Sequence, residues 1–199
     1  MQCWTELTSA CGQCQRCDLA LGRQRVVVGR GNPQAPLLLL GEAPGQKEDE
    51  QGLPFVGRSG QLLDRLLEHA GFNPHHDLYI CNVVKCRPPG NRKPTREESQ
   101  QCRPWLDQQI QLVNPRVIVL AGATAMEALL GKQQGISKVR GQWQSWDQRW
   151  LMPVFHPSYL LRFGSEAEQS PRWFTRQDLT TARERALAAP PGPVPPPAP

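Results

Sequence analysis

Four short apolar runs punctuate the chain: residues 36–40 (PLLLL), 78–84 (LYICNVV), 116–120 (RVIVL) and 151–155 (LMPVF). Three of them are nearly uninterrupted, the pattern of strands buried on both faces of a parallel sheet. Between them the period changes to that of helices. Residues 61–70 put Leu62, Leu63, Leu66, Leu67 and Ala70 on one stripe, with Ser59 as a cap and Gly71 as a stop. Thr95-Arg96-Glu97-Glu98 is a capping box, so a helix starts there. It carries Cys102, Leu106, Ile110 and Val113 on one face and ends before Asn114-Pro115. A shorter helix is predicted over 124–130, ended by Gly131. Strands alternating with helices predict an open α/β fold with a mostly parallel four-stranded sheet.

Past residue 139 the pattern differs. Trp143, Trp146 and Trp150 flank Asp147-Gln148, which predicts a hairpin or tight turn into the last strand. Ser170-Pro171 opens a final amphipathic helix, with proline at its first position. Residues 188–199 (AAPPGPVPPPAP) cannot bury a core and are expected to be disordered or polyproline-like. One domain over 1–187 followed by this tail is the expected organisation. A monomer is expected.

Composition adds two constraints. No apolar run reaches the ~18 residues of a membrane span, and the N-terminus lacks a basic-then-apolar signal pattern, so an intracellular location is expected. The seven cysteines would stay reduced there and free to bind metal. The net charge of +5 favours a polyanionic partner, and Lys85, Arg87, Arg92, Lys93, Arg96 and Arg103 crowd into one proline-rich segment. A solvated loop with helix-end charges accounts for that segment equally well.

The residues with chemical potential follow the strands directly. The first strand runs into Gly41-Glu42-Ala43-Pro44-Gly45, the second carries Asn82, and the last runs into His156-Pro157-Ser158. Ligands of open α/β sheets bind at the carboxyl ends of strands, so Glu42, Asn82 and His156 are expected on one rim. Each alone reads as an ordinary loop or strand polar group; the three together do not. A carboxamide in an apolar strand is either tied to backbone or aimed at a ligand. Phe55, in a Gly/Pro-rich loop, is either a loop anchor or a platform for a flat base. No phosphate-binding G-x-x-x-x-G-K-[ST], no G-x-G-x-x-G after a strand, no H-E-x-x-H and no G-x-S-x-G is present, which argues against a nucleotide triphosphatase, a zincin or a serine hydrolase.

Cys14 and Cys17 form a C-x-x-C, and Cys86 and Cys102 lie far along the chain. Spacing alone leaves zinc and iron–sulfur chemistry both open, and because Cys11-x2-Cys14-x2-Cys17 repeats the interval, it leaves Cys11 open as a ligand. Cys3 and Cys81 have no spaced partner; Cys81 is expected to pack as a small hydrophobe.

The segments GEAPGQKEDEQGLPFVGRSGQLLDRLL, YICNVVKCRPPGNRKP and FHPSYLLR, with C-x-x-C-x-L at 14–19, resemble the family 4 uracil-DNA glycosylases in sequence and in order. The resemblance covers most of residues 14–162. It implies a three-layer α/β/α domain, one 4Fe–4S cluster on Cys14, Cys17, Cys86 and Cys102, and hydrolysis of the uracil–deoxyribose bond in DNA. On that footing Asn82, His156 and Glu42 are the catalytic residues, and Gly41, Glu42, Ala43, Phe55, Asn82 and His156 bind the base. Ser158, Lys85, Arg87, Arg92 and Lys93 would hold DNA phosphates. Family 1 relatives carry G-Q-D-P-Y where this chain has GEAPG, so their water-orienting Asp is Ala43 here and their thymine-blocking Tyr is Gly45. A dissociative reaction with little base assistance is therefore expected, with turnover rather than a covalent product. A non-enzymatic nucleic-acid-binding module stapled by zinc or iron–sulfur is the alternative, and an electron carrier the weakest third.

Overall fold

The computed structural model describes residues 3–131, 135–163 and 165–188; the proline-rich end beyond residue 188 lies outside them. In chain order the elements are α1 (Trp4–Gly12), α2 (Leu19–Gly22), β1 (Arg30–Gly31), β2 (Leu37–Gly41), α3 (Gln46–Gln51) and α4 (Arg58–His69). There follow β3 (Leu78–Asn82), a 3-10 turn (Pro89–Asn91), α5 (Arg96–Val113), β4 (Val117–Ala121), α6 (Ala123–Leu130) and α7 (Ile136–Val139). The last elements among the described residues are β5 (Gln144–Trp146), β6 (Arg149–Val154), α8 (Pro157–Leu160) and α9 (Pro171–Leu187).

The strands form one sheet in the order β1-β3-β2-β4-β6-β5. The four expected strands are its parallel centre, with Gly41 opposite Asn82 and Ala121 opposite Val154. Among the described residues the sheet nevertheless has six strands, not four, because β1 and β5 add antiparallel edges. These edges are two and three residues long and only part-buried, too short to leave an apolar run. β5 is joined to β6 by a hairpin at Asp147-Gln148, both at positive φ, where the tryptophan pattern had pointed to a turn.

Both sheet faces are covered, which explains the uninterrupted apolar runs. Leu37 and Leu39 meet α4, α8 and α9, while Leu38 and Leu40, one residue out of phase, meet α5, α6 and the N-terminal segment. Burying a strand on both faces leaves polar groups only its carboxyl end, and the site sits there. The Thr95 cap forms as expected, its hydroxyl accepting from the Glu98 N–H and its own N–H donating to the Glu98 carboxylate. Helix α4 begins three residues earlier than its stripe, after Gly57 rather than Ser59.

Candidate active site and cysteine centre

Parallel pairing brings Gly41 and Asn82 into direct register at the carboxyl ends of β2 and β3. A side chain on Gly41 would collide with Asn82 Oδ1 and the Phe55 ring, so only glycine lets the amide and the aromatic share one space. Asn82 is 2% exposed, and its Oδ1 has no hydrogen-bond partner among the described residues. An orphaned buried carbonyl costs about 1–3 kcal/mol, which marks a group kept for something other than stability. Phe55 lies at φ +55°, a backbone strain of about 1–3 kcal/mol for such a residue. Its ring is 5.9 Å from that of His156, so the two line one pocket.

His156 follows β6 and caps α8. The Ser158 backbone N–H, which can only donate, points at His156 Nδ1 at 3.2 Å, and the Ser158 hydroxyl lies 2.8 Å from the same atom. Nδ1 is therefore the acceptor, and the ring proton belongs on Nε2. Burial holds the imidazole below its ordinary value, partly opposed by the negative charge of Glu42. The ring is thus neutral near pH 7 with one N–H to give. Gly122, at φ +91°, passes close beneath it; a Cβ there would lie 2.9 Å from that of His156. One Glu42 carboxylate oxygen accepts from the Thr124 hydroxyl on α6, leaving the other without a partner among the described residues. Ala43 is half-buried beside them and adds no functional group.

Glu48 holds the aromatic loop. Its carboxylate accepts from the backbone N–H groups of Val56 and Gly57, both at 2.8 Å, and from Gly45 at 3.1 Å. The Gly45 N–H is therefore spent inside the loop. Glu48→Ala is expected to destabilise the protein by about 2–3 kcal/mol, since charged hydrogen bonds and buried N–H groups are lost together. Urea unfolding measures it, and a loss below 0.5 kcal/mol (~ the scale of a neutral surface change) would remove this role.

The expected phosphate contacts separate. Arg87 is half-buried and donates to Asn91 at 2.7 Å, Arg92 is exposed and forks onto Glu98, and Lys93 is exposed and pairs with Glu127. Ser158 is exposed but serves His156. Lys85 corrects the expectation outright: it is 1% exposed, with its Nζ donating to the Asn82 carbonyl at 2.5 Å. Past the end of β3 the chain bends through residues 83–86, and the side chain turns back onto the strand end, so it has no access to a phosphate.

Cys11, Cys14, Cys17, Cys86 and Cys102 line one narrow cavity between the N-terminal helices and α5. Among the described residues, no three of His, Cys, Asp or Glu are arranged to chelate a single metal ion. The donors around the sulfurs fit a thiolate-bound group. Trp105 Nε1–H donates to Cys14 Sγ at 3.2 Å, and Arg23 donates to Cys86 Sγ at 3.4 Å while also holding the Cys14 carbonyl. Burial above all, with the neighbouring thiols adding to it and Arg23 or Lys85 opposing it, pushes Cys86 up to about 11 and Cys11 to about 12, so as free thiols they are unreactive. Cys81 packs as a small hydrophobe and Cys3 is exposed. The roles of Thr124, Arg23 and Trp105 left no trace in the sequence, because each acts across a distance only the fold closes. Glu48 had a signal, the capping-box interval from Gly45.

Geometry and chain order together define an α/β protein with an amide, an imidazole and an aromatic ring converging at the strand ends. Residues 28–180 match the Uracil DNA glycosylase superfamily. A type-4 uracil-DNA glycosylase of Thermotoga maritima is 51% identical over 152 residues, 75% of this chain and 79% of the relative. One from Saccharolobus solfataricus is 38% identical, covering 75% and 73%. A type-5 enzyme of Thermus thermophilus is 35% identical, covering 65% and 71%. The chain belongs to the type-4 family of the uracil-DNA glycosylase superfamily. No helix among the described residues is long and apolar enough to cross a membrane.

Proposed function

We propose that this chain is a uracil-DNA glycosylase, hydrolysing the N-glycosidic bond of a flipped-out uracil to leave an abasic site for base-excision repair. The orphaned Asn82 Oδ1 carries the reading. Uracil offers it the N3–H donor and offers the Asn82 Nδ2 the O4 acceptor. Cytosine presents the opposite pattern and would leave both groups unpaired, a rejection of ~10⁴-fold or more in sites of this kind. Phe55 stacks on the extruded base, and Gly41 leaves room for it. As the bond breaks, negative charge gathers on N1 and O2 of uracil, and the fixed Nε2–H of His156 meets it. Glu42, held by Thr124, has one free carboxylate oxygen to orient water from the opposite side of the sugar. The half-buried and exposed cations of 87–93 hold phosphates after exchanging their local partners. Their pairing with Glu98 and Glu127 weakens the static positive field while positioning the side chains.

Cys14, Cys17, Cys86 and Cys102 would hold one 4Fe–4S cluster, with Arg23 and Trp105 donating to the Cys86 and Cys14 sulfurs. Bound there, such a cluster would supply a covalent brace between the N-terminus and the loop after β3, and no group for bond cleavage. Iron replaces the protons that burial otherwise locks onto these thiols. An oligonucleotide carrying a single uracil tests the activity: abasic product with the unmodified protein supports it, and equal binding to damaged and undamaged duplex without product sinks it. Stoichiometric iron and brown thiolate-to-iron absorption are expected from anaerobic preparations; a colourless zinc protein would refute the cluster.

The His156 shift also fixes a pH signature. Its folded value lies below the ordinary 6.5, so between the two values the unfolded chain binds more protons. The stability that neutral His156 confers is full above 6.5 and is lost as pH falls toward the folded value. The kcat profile should accordingly stay level through 6.5 and decline only below it. An acid limb at or above 6.5 contradicts a neutral donor.

A further inference from the structure

Lys85 is the largest fully buried side chain among the described residues. No carboxylate accompanies it: the cavity it shares with the cysteines is lined by Arg16, Arg23 and Lys85 but by no Asp or Glu among the described residues. The Nζ has one hydrogen-bond partner among the described residues, the Asn82 carbonyl at 2.5 Å. A sealed ammonium with a single neutral acceptor is a costly arrangement unless an anion stands near it. The wall of that cavity is made largely of thiols, those of Cys11, Cys14, Cys17, Cys86 and Cys102. Its own backbone N–H also bonds to Cys102, and its carbonyl accepts from Val27 at 2.8 Å. Lys85 therefore touches the cysteine centre with its main chain and the base-reading strand end with its side chain.

We propose that Lys85 is the fixed counter-charge of the cysteine centre and the positioning residue that couples that centre to Asn82. This rests on the cluster reading given above. A thiolate-bound cluster is anionic, and Lys85, with Arg23 on its other flank, balances it inside a cavity that water barely enters. The same ammonium anchors the main chain of Asn82, three residues earlier, so the carboxamide is held at the depth where it meets a base. The coupling explains how a centre remote from the scissile bond bears on catalysis: whatever displaces Lys85 displaces the reading group.

Two substitutions in the iron-loaded, full-length protein separate the two limbs. Lys85→Gln keeps a donor for the Asn82 carbonyl and removes the charge; Lys85→Met removes both. Spectroelectrochemical titration reads the charge, because net charge and hydrogen bonding set cluster potentials. Both variants are expected to be about tenfold harder to reduce at a given potential, about 59 mV lower for a one-electron couple. A merely structural lysine would not move that value in Lys85→Gln. Single-turnover uracil excision reads the positioning: a loss of about tenfold or more for Lys85→Met, the scale of a small misplacement of a reacting group, against near-normal excision for Lys85→Gln. An unshifted potential in Lys85→Gln overturns the counter-charge. Equal excision by both variants overturns the anchor. If Lys85→Met fails to fold, Lys85→Gln and the charge-preserving Lys85→Arg decide the counter-charge, since Lys85→Arg should keep the potential that Lys85→Gln loses; Lys85→Thr, too short to reach the Asn82 carbonyl, then decides the anchor by the same tenfold loss of excision. A metal-free unmodified protein, by contrast, refutes the cluster and with it this coupling, while leaving the glycosylase activity standing.

Discussion

Asn82→Ala is expected to lower kcat/KM on a uracil-containing oligonucleotide by about 10²–10³-fold, the scale for losing one preorganised polar contact, with little loss of thermal stability. The pairing of those two outcomes is what the geometry predicts. A polar group satisfied within the fold would be missed when removed. The Asn82 Oδ1 is buried and unsatisfied, so its loss relieves about 1–3 kcal/mol of desolvation penalty. That offsets the packing lost with the side chain. The expected phenotype is a folded, iron-bearing protein that no longer separates uracil from cytosine. Single-turnover excision and thermal melting on the same preparation check it. A large drop in melting temperature with normal excision would mean that Asn82 braces the strand and reads nothing.

His156→Ala is expected to lower kcat by about 10²–10³-fold with KM nearly unchanged. Its Nε2–H meets charge that exists only as the glycosidic bond breaks, so the intact substrate gains little from it. The pH profile supplies the second readout: the acid limb below 6.5, assigned to a neutral ring held down by burial, should vanish in the variant. Ser158→Ala should produce a smaller fall in the same parameter, because the Ser158 backbone N–H still faces Nδ1. A variant at position 156 that raises KM and spares kcat would move His156 from charge stabilisation to DNA binding.

Much of this site was legible beforehand for a definite reason. A strand buried on both faces tolerates polar residues only where it ends, so Glu42, Asn82 and His156 stood out against their apolar runs. The parallel alternation put those ends on one rim. The capping box at Thr95 and the proline-led start of α9 were equally local and appear as expected. Lys85 was misread because charge was taken as a sign of exposure: it sits among cations that do reach solvent, yet the bend after β3 folds it back onto the Asn82 carbonyl. The edge strands β1 and β5 escaped because a two- or three-residue pairing is held by backbone bonds to a neighbour, which no local pattern encodes.

The sequence by itself determined the α/β alternation, the residues at the strand ends and the cysteines available for a metal centre. Each depends on interactions spanning only a few residues or on the chemistry of single side chains. The tertiary structure decided which of those residues meet. It alone joined Glu42 to Thr124, closed the Phe55 loop on Glu48, fixed the His156 proton on Nε2, left Asn82 Oδ1 unpaired and turned Lys85 inward onto the Asn82 carbonyl. Those outcomes depend on distances between segments far apart in the chain, set by packing both faces of one sheet.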